Sequence, residues 1–152
     1  MLFVPGDRHG WNSLDGYLTI HDAQLRRLGE YFIDQADLAI TFDDEDHLRI
    51  ADRNHCQNGL FIDVTKVLRI NERGQVRCEI YKYHAGMSGS TNRSIFRHDN
   101  AHVYAREGHL DAFHRHRFDD VTGNEIAPPV WIGRDNWPTL AEAVDELYEW
   151  CQ

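Results

Sequence analysis

Five of the chain's ten histidines fall in one short run, "FRHDNAHVYAREGHLDAFHRHRFDDVTG", from Phe96 to Gly123. Imidazoles titrate near neutral pH and serve as general acids and bases. They also ligate divalent metals as neutral donors. Within the run, His114 and His116 stand two residues apart, so an extended backbone points both to one face and turns Arg115 and Arg117 to the other. Arg97 and Asp99 likewise share a face, with Asn100 next in line. An arginine there can hold a phosphate or stabilise developing negative charge, and an aspartate can orient a histidine or ligate a metal.

The acid–base reading takes His114, His116, His102, Asp99 and Arg97 as catalytic, with Arg115, Arg117 and Asn100 contacting substrate. One of His114 and His116 would take a proton and the other would give one. Arg115 reaches such a site only through a bulge, since alternation turns it away. A metal reading uses overlapping residues: Asp99, His102, His114 and His116 offer three imidazoles and a carboxylate, a donor set suited to zinc, manganese or iron. Arg97 with Asp99 also fits an ordinary cross-strand ion pair. His9, His21, His47 and His55, each alone in its stretch, read as solvated.

These residues need a scaffold. "IHDAQLRRLGEYF" spaces Ile20, Leu25, Leu28, Tyr31 and Phe32 as one helical face, with His21 or Asp22 as cap. Residues 36–42, 47–52, 60–70, 76–85 and 94–99 are rich in branched and aromatic types. The third and fourth of these alternate with period two, the mark of half-buried strands. "DDED", "QNG" and "NERG" between them read as turns joining antiparallel hairpins. The stretch around Pro128 and Pro129 reads as irregular. Thr139 then caps a final amphipathic helix, with Glu142 completing a capping box and Leu140, Val144 and Leu147 marking its apolar stripe. The fold class expected is α+β in a single domain: an antiparallel meander sheet with an N-terminal helix and a C-terminal amphipathic helix. Residues 1–35 read as an extension carrying the first helix, and 36–152 as the α+β domain.

The chain carries 16 basic and 25 acidic residues, a formal charge of −9, which argues against a broad electrostatic grip on nucleic acid. The balance reverses locally, with five arginines against three acids from Arg93 to Phe118. Three cysteines without a CxxC pair suit a reduced compartment. No stretch is apolar enough for a membrane span or a signal peptide, so the cytoplasm is expected. Walker, GxGxxG, GxSxG and HExxH motifs are absent from the sequence, which sets aside the commonest nucleotide-binding and serine-hydrolase readings.

The order "RHDNAH", then "FHRH", then "PTLAEAVDEL" resembles the TumE-like toxins of bacterial toxin–antitoxin modules. Arg97, Asp99, Asn100 and His102 match that family's first motif, His114, Arg115 and His116 its second, and Leu140 to Leu147 its closing helix. The resemblance implies a toxin held in check by a cognate antitoxin, a small helix-turn-helix protein. RNA as substrate, and a metal-independent endoribonuclease as the activity, follow from the His, Arg and Asp chemistry. A His-rich metal protein, hydrolytic or structural, and a non-catalytic interaction module remain open beside it, as does a homodimer.

Overall fold

The computed structural model describes residues 8–26, 32–35, 39–89, 93–100 and 111–151. Its strands form one antiparallel sheet: β1 (Gly10–Trp11), β2 (Phe32–Gln35), β3 (Ala39–Phe42), β4 (His47–Cys56), β5 (Leu60–Ile70), β6 (Val76–Met87), β7 (Arg93–Asp99), β8 (His114–Phe118) and β9 (Glu125–Trp131). From β3 to β9 each strand pairs with the next, so the path is a meander. β2 adds to the same edge of β4 as β3, and β1 pairs with the start of β6. Two helices, α1 (Leu14–Arg26) and α2 (Leu140–Cys151), complete the α+β fold. Among the described residues no helix is long and apolar enough to cross a membrane.

Turn chemistry sets the hairpins. Asn71 closes the β5–β6 turn with its side-chain oxygen, accepting from Arg73 N at 3.0 Å and Gln75 N at 2.9 Å. Asn58 and Gly59 take positive φ between β4 and β5, a conformation that asparagine and glycine tolerate best. Alternation then divides each strand. Leu48, Ile50, Ile62, Val64, Tyr83, Ala85 and Phe96 are buried together with α1 and α2 residues in one core cluster. α2 contributes Leu140, Ala143, Val144 and Leu147, the helical spacing of a single apolar stripe. Its capping box is present: Thr139 Oγ1 accepts from Glu142 N at 3.3 Å, and Glu142 accepts from Thr139 N at 3.2 Å. Trp137 stacks on Tyr81 at 4.2 Å beneath it.

Two elements differ from the sequence expectation. The first helix starts six residues earlier than Ile20, because Ser13 Oγ accepts from Gly16 N at 3.0 Å and caps it. Its inward face is Tyr17, His21 and Leu25, and Phe32 already belongs to β2. The stretch holding Pro128 and Pro129 is not irregular but forms β9. β9 is the last strand of the path, where proline's missing N–H costs no ladder bond on the outer side.

The core also holds polar groups. His21 Nε2 donates to Asp52 at 2.5 Å, both side chains being almost fully buried. Lys66 is 3% exposed and donates to Tyr17 Oη at 3.0 Å. Burial pushes its amine down to about 8. Between that value and the ordinary 10.5, the unfolded chain binds a proton that the folded chain releases, so stability rises with pH through this window. Burial pushes the Cys78 thiol up to about 11, which opposes the rise above pH 9. Replacement of Lys66 by methionine is expected to stabilise the fold at pH 7 by about 1–3 kcal/mol. It should also abolish a gain of about 1 kcal/mol between pH 7 and 9, both read from urea unfolding at each pH.

Candidate functional site

The pairing of β7 with β8 builds the site. Arg97 lies opposite His116 and Asp99 opposite His114. Period two puts all four on the face away from the helices, while His98 and Arg115 pair on the helix face. Asp99, His114 and His116 are buried, and the Arg97 side chain keeps 28% of its surface exposed.

The distances are short and convergent. His114 Nε2 lies 2.9 Å from His116 Nε2 and 3.3 Å from Asp99 Oδ1. His116 Nε2 lies 3.6 Å from Asp99 Oδ2. Arg97 reaches Asp99 Oδ2 through Nε at 3.1 Å and His116 Nε2 through Nη2 at 2.8 Å.

The outer nitrogens fix the tautomers. His114 Nδ1 donates to the Ala112 carbonyl at 2.6 Å, and His116 Nδ1 donates to the Glu125 carboxylate. A carbonyl and a carboxylate only accept, so each ring carries a proton on Nδ1 and turns Nε2 inward, where its neutral form offers a lone pair. Arg97 donating to His116 Nε2 agrees with that assignment. Two imidazole Nε2 atoms and a buried carboxylate therefore aim at one region, their ligand atoms all within 4.8 Å. Asp99 and Glu125 bring two carboxylates to the cluster and Arg97 one guanidinium.

This geometry bears on how the histidines divide their work. Acid and base on a phosphodiester must reach oxygens on opposite sides of phosphorus. Ring nitrogens 2.9 Å apart reach a single point. They suit joint ligation of one ion, each ring held from behind by its second nitrogen, as metal-binding histidines usually are.

The other sequence candidates disperse. Arg115 stays on the helix face, bonded to Glu146 of α2 and lying 5.7 Å over the Phe96 ring. A register shift does occur between Arg115 and Arg117 toward β9, yet it does not return Arg115 to the histidines. Arg117 is exposed and pairs with Phe96 and Ile126. Asn100 spends its amide on β6: Oδ1 accepts from Tyr81 N at 2.9 Å and Nδ2 donates to Glu79 O at 2.8 Å. It therefore fastens the strand end that carries Asp99. His102 lies outside the described residues. His98 also serves the helix face, donating to Glu146 at 3.0 Å. Burial alone would raise the Glu146 carboxyl, but the His98 hydrogen bond and the Arg115 charge outweigh it and hold it below its ordinary value.

Sequence reasoning missed Glu125 and the Ala112 carbonyl, which orient the two rings. Glu125 opens β9, the strand hidden by its two prolines. His9 and His21, read as solvated, are buried: His9 stacks on Trp137 at 3.2 Å and His21 pairs with Asp52.

Asn100→Ala leaves a backbone N–H and a carbonyl of β6 without this partner and is expected to cost roughly 1–3 kcal/mol of stability. Thermal unfolding measures that loss; an unchanged melting curve would return Asn100 to the candidate substrate contacts. Comparison of the chain with protein-family models, with curated proteins and with solved structures finds no match.

Proposed function

We propose that the protein is a metal-dependent ribonuclease acting as the toxin of a bacterial toxin–antitoxin module, with Asp99, His114 and His116 as the metal ligands. The observation that carries the metal is the convergence of two inward Nε2 atoms and one buried carboxylate, both rings being held through Nδ1. Two nitrogens and an oxygen suit zinc, manganese or iron and leave coordination positions open for water and substrate. The toxin role and its antitoxin partner rest on the resemblance of Arg97–His102 and His114–His116 to the TumE-like motifs.

A divalent ion in this place would supply a Lewis acid for a phosphate oxygen and would lower the pKa of bound water. The chain's own residues do the rest. Asp99 and the two imidazoles would hold the ion. Glu125 and the Ala112 carbonyl keep the rings from turning. Arg97, at the exposed rim, has the reach and charge to leave His116 for a phosphoryl group and stabilise the charge that develops there.

The first test is elemental analysis of the purified protein alongside growth on induced expression, wild type against His114→Ala. Stoichiometric metal and arrested growth in the wild type, both lost in a folded variant, are the expected results. Wild-type protein that arrests growth without metal would sink the metal assignment, and a harmless metalloprotein would sink the toxin role. A second variant probes the support behind the ligands. Glu125→Gln keeps the fold and is expected to weaken metal binding about 10–100-fold, measured by competition with a chromogenic chelator.

A further inference from the structure

The register extends the site across the open face in two rows. One runs Arg53, Asp63, His84, Arg97, His116 from β4 to β8, and the other runs Ala51, Thr65, Lys82, Asp99, His114. Between β4 and β6 the face dips into a cleft of about 380 Å³ lined by Arg53, Asp63, Thr65, Lys82 and His84. It opens directly beside Arg97 and Asp99, the cross-strand neighbours of His84 and Lys82.

The charges in this cleft are not equivalent. Arg53 is neutralised by Asp63, with bonds of 2.7 and 2.8 Å to its two oxygens. Arg49, Arg69 and Arg97 each pair with a carboxylate as well. Burial lowers the His84 imidazole from its ordinary value, and its Nε2 bonds Ser94 at 2.8 Å. Lys82 is exposed and has no carboxylate within ion-pair distance among the described residues. It thus stands as an exposed cation outside any close ion pair in a chain of net charge −9, one strand spacing of about 5 Å from Asp99 and two from His114.

We infer that Lys82 and this cleft form a subsite for the phosphate next to the cleaved bond of a single-stranded RNA, which crosses the open face along the two rows. The inference rests on the ribonuclease reading and adds the path of the substrate. A lone cation in a cleft fits one phosphate of one strand. A duplex would need the broad basic surface that the acidic chain lacks. Thr65 at the cleft wall offers a hydroxyl to a ribose.

The test measures binding of a fluorescent 2′-O-methyl oligoribonucleotide to metal-loaded protein over a salt series, for wild type, Lys82→Gln, Lys82→Arg and the remote control Arg26→Gln. Loss of one phosphate contact lowers the slope of log affinity against log salt by about 0.7. That fall is expected in Lys82→Gln together with weaker binding, whereas Lys82→Arg and Arg26→Gln keep the wild-type slope. If Lys82→Gln binds with wild-type affinity and slope, the subsite is overturned while the ribonuclease reading survives. If the metal-loaded wild type neither binds nor cleaves RNA, the ribonuclease reading falls and the subsite with it.

Discussion

The antiparallel register between β7 and β8 is the constraint on which the rest depends. It sets Arg97 against His116 and Asp99 against His114 on one face, and His98 against Arg115 on the other. A slip of one residue would exchange the faces and bury an arginine where an imidazole now stands. A five-residue strand such as β8 has few ladder bonds with which to resist that slip. The helix face supplies the resistance. Glu146 of α2 bonds both members of the His98–Arg115 pair, so the helix clamps from behind the register that presents the site in front.

The two faces obey different physics. Behind the sheet, apolar burial under α1 and α2 dominates, and the polar exceptions cluster: His21 with Asp52, Lys66 with Tyr17. In front, polar side chains lie in cross-strand rows, and the polar side chains buried there among the described residues are Asp99, His114 and His116. A carboxylate withdrawn from water needs compensation. Arg97 provides part of it through Nε at 3.1 Å, and the two imidazoles stand within 3.3 and 3.6 Å of the same carboxylate.

Net charge misleads when read over the whole chain. Much of the acidity is spent in place, on arginine partners such as Asp43 with Arg49 and Asp63 with Arg53, or on loop turns such as that held by Asp119. What remains on the open face is local, and beside the site it includes the exposed Lys82.

Much of this was legible in the residues. Period-two alternation in β5 and β6, the turn at Asn71 and the Thr139–Glu142 box all act over a few residues, and each is present. Alternation also foretold that His114 and His116 would share a face and that Arg115 would leave it. Other features depend on segments far apart in the chain. That the His114–His116 face meets the Arg97–Asp99 face follows from strand pairing, which no local pattern encodes. Glu125 became a partner of His116 because an edge strand tolerates the prolines that concealed it. The start of α1 went to a serine cap over a longer apolar stripe, since the helix had to present Tyr17, His21 and Leu25 to the core. The sequence by itself determined which groups were available and which way alternation would turn them. Only the tertiary structure decided that two imidazoles should stand 2.9 Å apart with their Nε2 atoms facing, because that distance arises from cross-strand packing and from acceptors brought in by other elements.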